Sequence, residues 1–208
     1  MFIKHSFQLF FDDRFLAKHK TLKEAKKQLK ATMAHTQTHF CHASLGSKIK
    51  LKRIGDLTYW KGEKWLGTHQ MIDNYLPKLT LQKLDKAHIV LFFGHHEMGS
   101  YGGATNCMGC ICNEKIPKKK RCALNLWWTS AANTANTVVA HEIGHGLGME
   151  HDFDRPDKRK GCGKGIMNYP PNTALKWSIC SKDDFAASYK KNKSTWCMPE
   201  DETACKTA

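Results

Sequence analysis

The 208-residue sequence has no apolar run long enough to cross a membrane as a helix, so no transmembrane segment is expected. Its N-terminus, Met1-Phe2-Ile3-Lys4-His5-Ser6-Phe7-Gln8-Leu9-Phe10-Phe11, lacks the long apolar core and small-residue cleavage site of a signal peptide. Repeats, linkers and low-complexity tracts are also missing, which at this length indicates one domain with a proper core, monomeric in isolation. Acidic residues are the scarce charge: 19 Asp and Glu against 33 Lys and Arg leave a net +14. The basic residues cluster at 18–30, 48–53, 118–121 and 158–160, which suits contact with a glycosaminoglycan or another acidic surface. A solubilising face without a fixed partner is the alternative. Basic residues are not interleaved with aromatics in a nucleic-acid-binding pattern, so no nucleic acid is expected.

What the chain does have is cysteine, nine in all, and that density argues for an oxidising, extracellular compartment. The missing signal peptide then implies a secreted domain cut from a longer precursor that supplied signal and pro-region. Cys107-x-x-Cys110-x-Cys112 with Cys122 could form a thiolate zinc cluster, but disulfides account better for such cysteines in a secreted chain. Nine is odd, which leaves at least one thiol free, intermolecular or paired beyond the chain; Cys41 is the most isolated in sequence.

The densest chemistry lies in His141-Glu142-Ile143-Gly144-His145-Gly146-Leu147-Gly148-Met149-Glu150-His151-Asp152. On a helix, His141 and His145 at i and i+4 leave the same face one turn apart, as two ligands of a tetrahedral zinc require. Glu142 stands beside the first ligand, within reach of a metal-bound water as general base. Gly148 can end the helix in a left-handed residue and let His151 approach from the other side. Three protein ligands leave a fourth position for water, the mark of a catalytic zinc site. Chance histidine pairs at this spacing are common on helices, but the glycine, third histidine and aspartate together are not.

This stretch resembles the zinc-binding consensus of the metzincin metalloproteases, with Gly165-Ile166-Met167-Asn168 placed as their methionine turn. Asp152 after the third histidine is similar to the adamalysin/reprolysin group, which includes snake-venom metalloproteases and the ADAM and ADAMTS proteases. Trp177-Ser178-Ile179-Cys180-Ser181 leading to Asp184-Phe185 resembles the last helix of that family. The resemblance implies a metalloendopeptidase with one catalytic Zn2+, ligands His141, His145 and His151, and Glu142 as base, acting on internal peptide bonds of extracellular proteins. It further implies Met167 as a floor beneath the histidines and Asp152 as an acceptor of backbone hydrogen bonds near the turn. Gly102, Gly103 and Ala104 correspond to the edge strand along which extended substrate pairs; an ordinary turn is the alternative. Cys162 and Cys180 bracket the turn, as a family bridge does, and a second bridge would join Cys112 or Cys122 to Cys197. Tyr169 departs from the adamalysin pattern: it is similar to the tyrosine that binds zinc or steadies the oxyanion in astacins and serralysins, and a pocket wall is its other reading. Asp85 matches one acidic position of a family calcium site, but Ser6 stands where its partner should be, which argues against Ca2+. A non-proteolytic toxin or binding protein on this fold predicts a damaged ligand or base, and all four residues are intact.

Around the motif, the pattern is that of an α/β (α+β) chain. Phe7 to Phe11 reads as a strand ending at Asp12-Asp13. Thr21-Leu22-Lys23-Glu24 is a capping box, and Leu22, Ala25, Leu29 and Met33 mark a helix toward His39. Residues 48–60 form a strand broken near Gly55, residues 71–76 a helical stretch before Pro77, and 87–93 a strand buried on both faces. Residues 122–128 are another strand. The metal-bearing helix starts near Thr134 and buries Val138, Val139 and Ile143; the last helix is capped at Ser181. The expected fold is a mixed, mostly parallel five-stranded sheet with helices packed on it. Its upper subdomain covers about residues 1–148 and a small irregular lower one about 149–208.

Overall fold

A computed structural model describes residues 2–61, 89–94, 103–105, 108–111, 123–127, 132–153, 160–168 and 174–192. Its first strand, β1 (Phe2–Asp12), alternates faithfully: Ile3, His5, Phe7 and Leu9 are buried, while Lys4, Ser6 and Gln8 are partly exposed. From Phe10 onward both faces are covered, so the strand becomes continuously apolar until Asp12. Asp12 stops it by turning the chain into α1 (Asp13–Ala17), where its Oδ1 accepts from the backbone N–H groups of Arg14 and Phe15. Sequence reading had placed the strand's end there but not the short helix.

Helix α2 (Leu22–Cys41) begins at the expected cap: Thr21 Oγ1 accepts from Glu24 N–H at 3.1 Å. Glu24 reaches back, yet to the N–H of Lys20 rather than of Thr21 itself. Ala25, Leu29 and Met33 line the buried face with Thr32, Thr36, His39 and Phe40, whereas Leu22 lies in the exposed first turn. Strands β2 (Lys48–Arg53) and β3 (Thr58–Trp60) follow, then β4 (Ile89–Gly94), β5 (Gly103–Thr105) and β6 (Ala123–Trp127). The sheet order is β2-β1-β4-β6-β5, with β3 also beside β1. The β1 ladder is parallel throughout, its residues 2–7 matching β2 and 10–12 matching β3, with β4 on the opposite edge.

The sheet is therefore mixed and mostly parallel, but with six strands rather than five among the described residues. The extra strand comes from the break expected near Gly55, which has φ +68°, so that β2 and β3 occupy one interrupted lane. All residues of β4 are buried, as a central parallel strand requires. Only β5 runs antiparallel, paired to β6. Helix α3 (Ala132–Gly146) starts two residues before Thr134 and α4 (Ile179–Asn192) closes the described chain. The N-cap of α4 is Ser178, whose Oγ accepts from Ser181 N–H at 2.9 Å, three residues before the expected cap at Ser181.

Ile3, Phe7, Leu9 and Phe11 of β1, Leu91 and Phe93 of β4, Leu29 and Phe40 of α2, and Val139 and Ile143 of α3 form one core. Burying a single side chain of this size contributes roughly 1.5–3 kcal/mol before entropy is counted. This core fixes α3 against both α2 and the sheet, and hence fixes where its histidines point. The helical stretch expected at residues 71–76 lies outside the described residues.

Candidate active site

Helix α3 ends in a defined hydrogen-bond pattern. Met149 N–H donates to Gly144 O and Gly148 N–H to His145 O, with Gly148 at φ +95° between them. A side chain at 148 would also collide with Ser188 of α4, whose Oγ would be 2.5 Å from the added Cβ. The last carbonyls are covered from elsewhere in the chain: Gly109 N–H donates to His145 O and Ile111 N–H to Gly146 O. This turn swings His151 back over the helix it has just left.

The result is three converging imidazoles. His151 Nε2 lies 3.0 Å from His145 Nε2 and 3.2 Å from His141 Nε2. Nitrogens about 3.3 Å apart are what tetrahedral ligation at a Zn–N distance of about 2.0–2.1 Å demands. The tautomers fit as well. His141 Nδ1 is 2.9 Å from Ile166 O and His145 Nδ1 is 2.8 Å from Met149 O. A carbonyl only accepts, so each Nδ1 carries the proton and each Nε2 presents its lone pair. Burial pushes the His141 pKa down to about 4, and burial with the neighbouring imidazoles pushes that of His145 to about 3. Neutral rings whose lone pairs meet at one point are suited to a cation. These three are the only grouping of this kind among the described residues.

Glu142 is buried beside them, and loss of solvent raises its carboxyl pKa to about 7, partly opposed by a hydrogen bond from Thr105. Thr105 Oγ1 is 2.6 Å from Glu142 Oε2 and 2.9 Å from the Glu142 carbonyl oxygen. Sequence reading missed Thr105. Its signal was positional, two residues after Gly103 on one strand and therefore on the same face.

The methionine turn sits beneath the helix. A Cβ on Gly144 would meet Met167 Sδ at 2.7 Å, so glycine between the first two histidines is what lets the thioether pack there. Both Met167 and Met149 are fully buried. Asp152 is tied to the turn in a way the sequence did not give: its own N–H donates to Met167 O at 3.1 Å. Its carboxylate accepts from the hydroxyls of Ser178 and Ser181 on α4. Ile166 N–H bonds Lys176 O, and Cys162–Cys180 forms a disulfide across the same segment. Cys41 and Cys110 are disulfide-bonded too, which removes Cys41 as the odd thiol and Cys110 as a thiolate metal ligand. Gly103 and Ala104 lie on the edge strand β5, where the extended conformation of residues 103–105 excludes an ordinary turn. Gly102, Tyr169, Asp85, Cys107, Cys112, Cys122 and Cys197 lie outside the described residues.

A mixed sheet over a histidine-bearing helix, a turned-back third histidine and a buried carboxylate together define a zinc metalloprotease of the metzincin type. A family model described as the reprolysin (M12B) family of zinc metalloproteases matches residues 67–201, and the chain belongs to that family. It is thus a zinc-dependent metalloendopeptidase. Disintegrin and metalloproteinase domain-containing protein 9 of Homo sapiens is 29% identical over 134 residues, 64% of this chain and 13% of that protein. A disintegrin and metalloproteinase with thrombospondin motifs 1 of Bombyx mori is 34% identical over 73 residues, 34% of this chain and 7% of that protein. The chain thus spans only a small part of these relatives' lengths. Among solved structures, metalloproteinase-II from Bacteroides fragilis shares the fold at TM-score 0.61 and 16% identity, covering 89% of this chain and 53% of that one. A chain from a structure of a chaperone-substrate complex does so at TM-score 0.61 and 15% identity, covering 93% and 35%.

Proposed function

We propose that this chain is a single catalytic domain that hydrolyses internal peptide bonds of extracellular proteins. The observation that carries this reading is the meeting of three Nε2 atoms beside the buried carboxylate of Glu142. His141, His145 and His151 would hold the zinc, with His141 and His145 fixed in the ligating tautomer by backbone carbonyls. A zinc ion bound there acidifies water and polarises a carbonyl oxygen. Glu142 takes the proton of the attacking water and passes it to the leaving amine, a shuttle suited to a carboxyl whose pKa burial has moved toward neutrality. Met167 packs as an apolar floor, and Asp152 joins the turn to α4. The edge of β5 receives extended substrate by backbone pairing.

We read the domain as an upper α/β part to about Gly148 and a lower irregular part after it, with the three histidines where the two meet. Four disulfide-bonded cysteines among the described residues, Cys41, Cys110 and the Cys162–Cys180 pair, support an oxidising extracellular setting. Among the described residues no helix is long and apolar enough to cross a membrane. The test is cleavage of a protein or peptide library by the zinc-loaded chain, with a chelator and with Glu142→Ala. General acid–base catalysis is worth roughly 10²–10⁴-fold, so the variant should lose at least that much while retaining zinc. A zinc-loaded, correctly processed chain that cuts nothing would return the protein to the non-proteolytic reading.

A further inference from the structure

The edge strand does more to Glu142 than lie near it. Gly103 and Thr105 are two residues apart on β5 and both face helix α3. At Gly103 an added Cβ would lie 2.9 Å from Glu142 Cγ, 2.9 Å from Val138 Cγ1 and 3.0 Å from Glu142 Oε1. The glycine therefore makes room for the carboxylate where any side chain would displace it. At Thr105 the hydroxyl bridges Glu142 Oε2 and the carbonyl oxygen of the same residue, at 2.6 and 2.9 Å. A hydroxyl has one proton and cannot fully serve both acceptors at once; the shorter contact is to the carboxylate.

We infer that Thr105 is a positioning residue for Glu142: its hydroxyl anchors Oε2 against strand β5 and leaves Oε1 as the oxygen that exchanges the proton. This rests on the reading of Glu142 as general base. Among the described residues, Thr105 is the hydrogen-bond partner of the Glu142 carboxylate, and Oε1 has none. The terminal torsion of a glutamate is soft and roughly two-fold, so without that anchor the carboxylate would swing and spend part of its time turned from the water. Near-attack geometry is sensitive to displacements of this size. The arrangement also puts substrate pairing and base orientation on one three-residue strand, whose backbone ladders to β6 through Gly103, Ala104 and Thr105.

The experiment compares Thr105→Val, nearly the same shape without a donor, with Thr105→Ser, which keeps the hydroxyl, both zinc-loaded. Loss of a hydrogen bond to a charged group predicts a kcat lower by roughly ten- to a hundredfold in Thr105→Val. KM, zinc content and melting temperature should stay near wild type, and Thr105→Ser should recover most of kcat. Crystal structures of both variants give a reading independent of turnover: Glu142 leaves its single rotamer in Thr105→Val and keeps it in Thr105→Ser. Equal kcat in the valine variant, equal damage in both variants, or an unmoved Glu142 would overturn the inference. A wild-type chain without activity whose Glu142 still moves in Thr105→Val would sink the proteolytic reading and leave the positioning contact standing.

Discussion

Replacing Gly165 with alanine tests whether the methionine turn is held by close contact rather than by sequence habit. A Cβ at 165 would lie 2.6 Å from the backbone nitrogen of Ser178, 2.8 Å from Ser178 Cβ and 2.8 Å from Asp152 Oδ2. A backbone nitrogen at the start of α4 cannot rotate away as a side-chain tip could. Overpacking of this kind costs about 1–3 kcal/mol, and pushing Asp152 off the Ser178 hydroxyl adds about 1.5–3 kcal/mol. The total is roughly 2.5–6 kcal/mol, or a melting temperature lower by roughly 5–24 °C for a domain of this size. The effect should also reach the metal. Ile166, the next residue, supplies the carbonyl that holds His141 Nδ1 at 2.9 Å, so its displacement should weaken zinc binding by about 10–100-fold. The assay is thermal unfolding of zinc-loaded protein together with zinc competition against a chelator. Gly163→Ala is the control: nothing lies within 4 Å of its added Cβ, and only its φ of +78° is strained, costing about 1–2 kcal/mol. If Gly165→Ala melts no lower than Gly163→Ala and binds zinc as wild type does, the turn is not packed as described.

Two further perturbations probe the contacts that join distant parts of the chain. Ser178→Ala removes the N-cap of α4 and a donor to Asp152 together, and should cost about 2–4 kcal/mol in a denaturant melt. His39 is buried with Nδ1 bonded to Leu175 O at 3.2 Å, and burial, then repulsion from His35 and His42, lowers its pKa. The unfolded chain therefore takes up its proton first, so this group withdraws stability as pH falls below about 6.5 and contributes nothing to the slope above it. His39→Asn, which keeps a donor toward Leu175, should flatten the acid side of the stability–pH curve; an unchanged slope would exclude His39 as its source. The Glu142→Ala and Thr105 variants complete the set, read in turnover and in side-chain position.

Much of the scaffold was legible because it is local. The i, i+4 histidines, the buried Val138, Val139 and Ile143, the Thr21 cap and the break at Gly55 all follow from periodicities or turn chemistry within a few residues. The strand expected at 87–93, found at Ile89–Gly94, stood out because the stretch is apolar except for His88. The short helix after Asp12 was missed because its signal, one aspartate accepting from two amides, is indistinguishable in sequence from a turn. The cap of α4 slipped from Ser178 to Ser181 because both serines can cap, and only packing decides which one does.

By itself the sequence singled out the three-histidine grouping suited to zinc, since a helix repeat and one left-handed glycine suffice to bring His141, His145 and His151 within range. It could not determine what holds them. Thr105 reaches Glu142 across 37 residues, Ser178 reaches Asp152 across 26, and His39 reaches Leu175 across 136. No period or spacing encodes such pairs; they exist because a shared core sets α2, α3, α4 and the edge strand at fixed distances from one another. The capacity for zinc is local. The orientation of the Glu142 carboxylate and the fixing of the turn beneath the histidine-bearing helix are products of tertiary packing.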